Sequence, residues 1–348
     1  MDDTIFQHAY FGVFDGHGGS GVSEHCATHL HANVLSSTHM PDVLQALQDG
    51  FLRTDADVLD EVSAPDRSGA RRRGWDAGTA AVAMFVTAQD LAFAHAGDCR
   101  AVLVKRSGSP VPFVDLTIDH AAAGVPDRPD EVIRVEKVGG KISPGHVYVG
   151  DYSLPMTRAL GDLPLKVAAD RSWREMSVGE QIVTALPEVS MRPREDDDLC
   201  VVLASDGLFG NVMSSADVAK CAREHLEGAN ANAHDAEMKA ARSLCDQALC
   251  LHHGADNVSV VVVSLDAPVP PPLPSSSSRA AYSMVNHRFS VPGIDGPVPL
   301  AHMGSQESVT TADPTSPGRL PLSEKLRMRF CDAYPPCALS RDKENYRF

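Results

Sequence analysis

Up to residue 265 the chain alternates short apolar runs with amphipathic stretches; after it, that pattern stops. Tyr10 to Phe14 is a short apolar run ending at Asp15-Gly16, which predicts a strand with a sharp exit. Residues 21–34 and 43–62 carry apolar positions at helical spacing. Residues 79–86, 91–96 and 101–104 read as successive strands, with turns at residues 88–90 and 97–98. Beyond them the pattern predicts a helix over 130–138 and a strand over 199–204 that again ends in Asp-Gly. Two helices over 216–226 and 233–251 and a closing strand over 257–265 follow. Strands gather in the middle and helices flank them in pairs. That order suits packed sheets covered by helices better than an alternating βαβ unit.

Composition changes sharply after Leu265. Pro268, Pro270, Pro271, Pro272 and Pro274 precede four serines, and polar sequence continues to about Pro321. Such sequence buries too little apolar surface to offset the entropy of ordering it. Residues 266–348 are therefore expected to be a mostly disordered tail, with residues 322–330 (LSEKLRMRF) able to form a turn of amphipathic helix. The formal net charge of −15 argues against nucleic acid as a partner, since phosphate backbones are held by clustered Lys and Arg. Arg71-Arg72-Arg73, beside Gly69 and Gly74, reads as a solvated loop. No apolar stretch is long enough to cross a membrane, and MDDTIFQHAY has no secretory h-region. Eight cysteines without a CxxC pair point to a reducing compartment, cytoplasmic or nuclear. Cys245, Cys250, His252 and His253 lie among Ala248, Leu249 and Leu251, so they read as part of a helix with a buried face and not as a zinc site.

Aspartates stand where strands end. Asp15 and Asp206 each close an apolar run and precede a glycine, Asp256 stands just before a buried strand, and Asp98 sits in a tight turn between two. Four carboxylates from distant parts of the chain can converge at one edge of the sheets. Clustered carboxylates resist ionising together, and hard divalent cations relieve that cost through oxygen-only ligands. Two such ions about 4 Å apart can activate a water for in-line attack on phosphorus. The neighbouring His17 is then placed to protonate the leaving oxygen as general acid.

The ordered series FGVFDGHGG, GTAAV, HAGDCRAVL, LTIDH, RVEKVGGKI, TRALGD, LASDGLF and GADNVSVVVV resembles the metal-dependent serine/threonine protein phosphatases of the 2C type over residues 10–265. The resemblance implies an α+β fold, a four-layer α-β-β-α sandwich over residues 1–265, with two Mn²⁺ or Mg²⁺ ions at one edge. It implies that Asp15 bridges both metals, that the Gly16 carbonyl ligates one and Asp206 and Asp256 the other. It further implies His17 as general acid, Asn257 as the residue orienting Asp256, and Asp98 at a weaker third metal. The segment from Lys141 to Asp162 corresponds to the flap that shapes substrate access. Phosphoprotein substrates, hydrolysed without a phosphoenzyme, and a monomeric chain are the matching expectations.

The sequence departs from the family in two places. Only nine residues precede the first matched strand, where the family carries a segment with a phosphate-binding arginine and an acidic pair; a truncated gene model or fragment is the favoured reading. In SDGLFG, Phe209 and Gly210 stand where the family usually has tryptophan and an aspartate serving the third metal. The competing expectation is a catalytically impaired pseudophosphatase acting as a binding or regulatory module.

Overall fold

The computed structural model describes residues 8–64, 74–87, 89–122, 128–143, 145–167, 171–209, 212–228, 235–251, 256–265 and the backbone of 328–330. The elements in chain order are β1 (His8–His17), α1 (Gly21–Leu35), α2 (Val43–Ser63), β2 (Gly78–Thr87), β3 (Asp90–Ala96), β4 (Arg100–Lys105), β5 (Phe113–Asp115) and α3 (Pro129–Lys137). There follow β6 (Lys141–Ser143), β7 (His146–Val149), β8 (Tyr152–Leu154), β9 (Leu160–Gly161), β10 (Glu188–Pro193), β11 (Asp198–Ala204) and α4 (Asp206–Phe209). The last are α5 (Ser215–Glu227), α6 (Ala236–Leu251), β12 (Val260–Ser264) and β13 (Met328–Phe330).

Two antiparallel sheets face each other. One runs β1-β2-β3-β10 with β9 also on β2, and the other runs β13-β12-β11-β4-β5. The period of two along the strands explains the layering. In β1, Ala9, Phe11 and Val13 enter the core between the sheets, while Tyr10 and Phe14 enter the core under α1 and α2. In β2, Ala80, Val82, Met84 and Val86 face the other sheet and Ala81, Ala83 and Phe85 face the helices. Both faces are dry, so the run is apolar throughout instead of alternating. On the second sheet Val201, Leu203, Val261 and Val263 face inward, while Cys200, Val202, Ala204, Val260 and Val262 pack beneath α5 and α6. Three apolar interfaces between four layers give the expected α+β sandwich.

Local chemistry sets the helix ends. Asp42 caps α2 by accepting from the Gln45 N–H at 3.2 Å. Ser214 and Asp217 form a reciprocal capping box at the start of α5. Cys245 is buried on α6 and Cys250 is exposed, so the two do not share a face; His252 and His253 lie outside the described residues, as do Arg71 to Arg73 and Gly210. No described helix is long and apolar enough to cross a membrane.

One expectation is corrected. Within the stretch expected to be a turn of helix in a disordered tail, Met328–Phe330 is a strand, paired antiparallel to β12 with Val262 opposite Arg329. Met-Arg-Phe alternates apolar and polar, which suits a strand, and β12 offers an open edge of backbone donors and acceptors.

Candidate active site

β1 delivers Asp15 to the inter-sheet side, two residues beyond Val13 in the same alternation. The facing sheet brings two more carboxylates to the same end, and the connection between the sheets brings a third. Asp206 opens α4 directly after β11, Asp256 precedes β12, and Asp98 lies in the β3–β4 turn. Ser205 fastens the first two of these: its N–H donates to the Ser259 carbonyl at 3.1 Å, and its hydroxyl accepts from the Ser259 N–H at 3.1 Å. The backbone N–H of Asn257 donates to Asp256 Oδ1 at 2.7 Å, so the contact between these neighbours runs through the main chain.

Asp98 is placed by a strap behind it. Gly97 adopts φ 109°, in the region that favours glycine, and its N–H donates to His120 Nδ1 at 3.3 Å while its carbonyl accepts from the His120 N–H at 2.9 Å. His120 stacks on His95 with ring centroids 4.4 Å apart. Asp119 is gripped by Arg100 through two bonds of 3.0 and 2.7 Å, and the same guanidinium lies 4.9 Å from the Phe209 ring centre.

The electrostatics show convergence. Burial pushes the Asp15 carboxyl up to about 8, and the charges of Asp206, Asp98 and Asp256 push the same way. Asp98 is likewise pushed up to about 8, by burial first and then by Asp206 and Asp119. Asp206 is raised by burial and by Asp256, and it shares a hydrogen bond with Asp15. Carboxyls that must hold protons at neutral pH in the absence of positive charge form a donor set for a hard cation. The residues present fit such ions.

His17 ends β1 beside this cluster. Its Nε2 lies 2.7 and 2.9 Å from the two carboxylate oxygens of Asp162. Sequence reasoning named Asp162 only as the end of the flap segment and of the TRALGD motif, and gave it no partner. It likewise assigned no role to Asp119 and His120 in LTIDH.

Two other groups bring ligand-type atoms within 4.8 Å of one another among the described residues: His95, His120 and Glu188, and Glu195, Asp197 and Asp198. In the first, Arg128 already holds Glu188 at 2.5 Å and the His95 Nε2–H is spent on the Ile118 carbonyl at 2.8 Å. In the second, the Lys105 ammonium sits 2.5–2.8 Å from all three carboxylates.

A sequence profile of the protein phosphatase 2C family matches residues 6–256. The chain belongs to the protein phosphatase 2C family. It is 34% identical over 284 residues to probable protein phosphatase 2C 24 of Arabidopsis thaliana, covering 76% of this chain and 71% of that protein. It is 36% identical over 291 residues to probable protein phosphatase 1N of Mus musculus, covering 81% of this chain and 63% of that one. It is 33% identical over 288 residues to probable protein phosphatase 2C 6 of Oryza sativa subsp. japonica, spanning 56% of that protein's length. Among solved structures, a serine-threonine phosphatase 2C from Toxoplasma gondii superposes with a TM-score of 0.56 at 22% identity, over 74% of this chain and 85% of that one. At that identity the likeness shows the fold. A C. elegans sex determining protein superposes with a TM-score of 0.56 at 26% identity, over 75% of this chain and 56% of that one. The family is one of metal-dependent protein phosphatases, and the chain spans 56% to 71% of the length of the three sequence relatives.

Proposed function

We infer that the chain hydrolyses phosphoserine and phosphothreonine in proteins at the edge where Asp15, Asp98, Asp206 and Asp256 meet. The observation that carries the reading is the meeting of these four carboxyls at the ends of the strands, where burial and the neighbouring carboxylates push Asp15 and Asp98 up to about 8. Such uncompensated acidity is costly in a resting fold and suits a site completed by cations. Asp15, the Gly16 carbonyl, Asp206 and Asp256 would hold two ions, Mn²⁺ or Mg²⁺, and Asp98 a weaker third. Bound there, the ions would supply the charge that lets these carboxylates ionise together and makes water nucleophilic near neutral pH.

The chain's own groups complete the chemistry. His17, beside the acidic cluster, hands a proton to the leaving oxygen as the P–O bond breaks, so the alcohol departs neutral. The small sheet β6-β7-β8 occupies the segment assigned to the flap, and Tyr152 on it meets Trp75 edge-on with centroids 5.6 Å apart. That contact gives the flap a fixed aromatic seat beside the β2 approach. Direct hydrolysis leaves no phosphoenzyme.

The test is release of phosphate from a phosphothreonine peptide with Mn²⁺ and then with EDTA. Turnover that EDTA abolishes and that Asp206→Asn reduces to the EDTA background is the expected result. Full activity in Asp206→Asn would overturn the reading. The competing idea of a binding module without turnover has no observation in its favour among the described residues.

A further inference from the structure

We propose that Asp162 is the positioning residue for His17: its carboxylate, fixed from behind by the buried Asp55–Lys166 pair, holds the imidazole in one orientation toward the leaving group. The inference rests on the reading of His17 as general acid. Both Asp162 oxygens straddle His17 Nε2, at 2.7 and 2.9 Å. A carboxylate accepts, so Nε2 carries its hydrogen toward Asp162, and the proton passed to the leaving group comes from Nδ1. In the step, the electron pair of the breaking P–O bond takes the Nδ1 proton. The ring goes from protonated on both nitrogens to neutral, and Nε2–H stays on Asp162.

The surroundings of Asp162 are built for that one contact. It has the only positive φ of a non-glycine among the described residues, 52°, and its side chain is 3% exposed. Its N–H donates to the Ala77 carbonyl at 2.9 Å, and its carbonyl accepts from the Leu165 N–H at 2.9 Å. The preceding N–H, of Gly161, donates to Asp55 Oδ1 at 2.7 Å, and Lys166 Nζ bonds the same oxygen at 2.6 Å and the Ala159 carbonyl at 2.9 Å. Lys166 is 0% exposed. Strand pairing sets His17 opposite Gly78 and Gly78 opposite Gly161. A side chain at position 78 would run into both the Asp162 carboxylate and His17 Nε2, so the strand between them is bare where the two meet. A left-handed backbone outside a glycine costs energy that the surrounding bonds have to offset. Here those bonds aim a carboxylate at the ring.

The test separates positioning from general structural support by leaving group. A phosphothreonine peptide expels an alkoxide that needs a proton, whereas p-nitrophenyl phosphate expels a stable phenolate that does not. Asp162→Asn keeps the shape and tolerates the left-handed backbone, but offers no carboxylate. The expected result is a fall in kcat of about tenfold or more on the peptide, with less than about threefold on p-nitrophenyl phosphate. His17→Gln should show the same split, and the double variant should be no worse than His17→Gln alone. Because the ratio of the two rates is read on one sample, an unfolded fraction cancels. Equal losses on both substrates, or none, in Asp162→Asn while His17→Gln shows the split would overturn the proposal and leave the acid in place. No split in His17→Gln would overturn the acid reading, and this inference with it.

Discussion

At neutral pH a carboxyl whose folded-state pKa is about 8 holds its proton, and Asp98 is such a group, buried next to Asp206 and Asp119. Its pKa is raised on folding above the ordinary value of 3.8. The protonated form therefore favours the fold fully below about pH 4, and that contribution is lost as pH rises through the folded pKa near 8. Without cations, Asp98→Asn should raise the melting temperature at pH 9, with the gain shrinking toward pH 4. A melting series in EDTA across that range checks it. A gain independent of pH would mean that the cluster does not store the repulsion ascribed to it. The same residue scale shows where sequence runs out. Asp15 and Asp206 were legible because each ends an apolar run. Asp119 and Asp162 were not, because their partners Arg100 and His17 lie 19 and 145 positions away and only the fold supplies them.

At the scale of elements, α2 is tied to the turn that follows β9 by a buried ion pair, Asp55 with Lys166. Removing one partner of such a pair leaves the other charge without compensation, which costs more than the pair gains. Asp55→Ala should lower the unfolding free energy by about 3–5 kcal/mol, while Asp55→Leu with Lys166→Met should lose less. Urea unfolding of both variants decides it, and equal losses would remove the claim. Elements with strong periodicity were read within a few residues: β2, β3, β11, α2 and α6 all carry long apolar faces. The strands β5 to β10 were not: β5 to β9 have too few residues to show a period, and β10, Glu188–Pro193, is polar at half its positions and owes its place to the edge of β3. The strand Met328–Phe330 belongs with them: LSEKLRMRF fits a helical template, and the edge of β12 decides otherwise.

In the whole molecule, the site depends on two sheets presenting the same end to each other. Asp15 and His17 arrive from one sheet, Asp206 and Asp256 from the other and Asp98 from the β3–β4 connection between them, and the inter-sheet core of Phe11, Val13, Leu203 and Val263 fixes their separation. The fold class was readable from the sequence because each layer's apolar pattern is complete; the convergence was readable only as a possibility of strand ends.

The pairing of Met328–Phe330 with β12 has a consequence for the chain as it is made. Val263 emerges from the ribosome well before Met328, its partner in the register. Until then the outer rim of a valine-rich strand, Val260 to Val263, stays open to any other strand that reaches it. The late segment then acts as a guard against self-association, and deleting residues 328–330 should raise the fraction of oligomers in size-exclusion chromatography as concentration rises. A deletion variant that elutes as the parent does at every concentration would show that the rim needs no such guard.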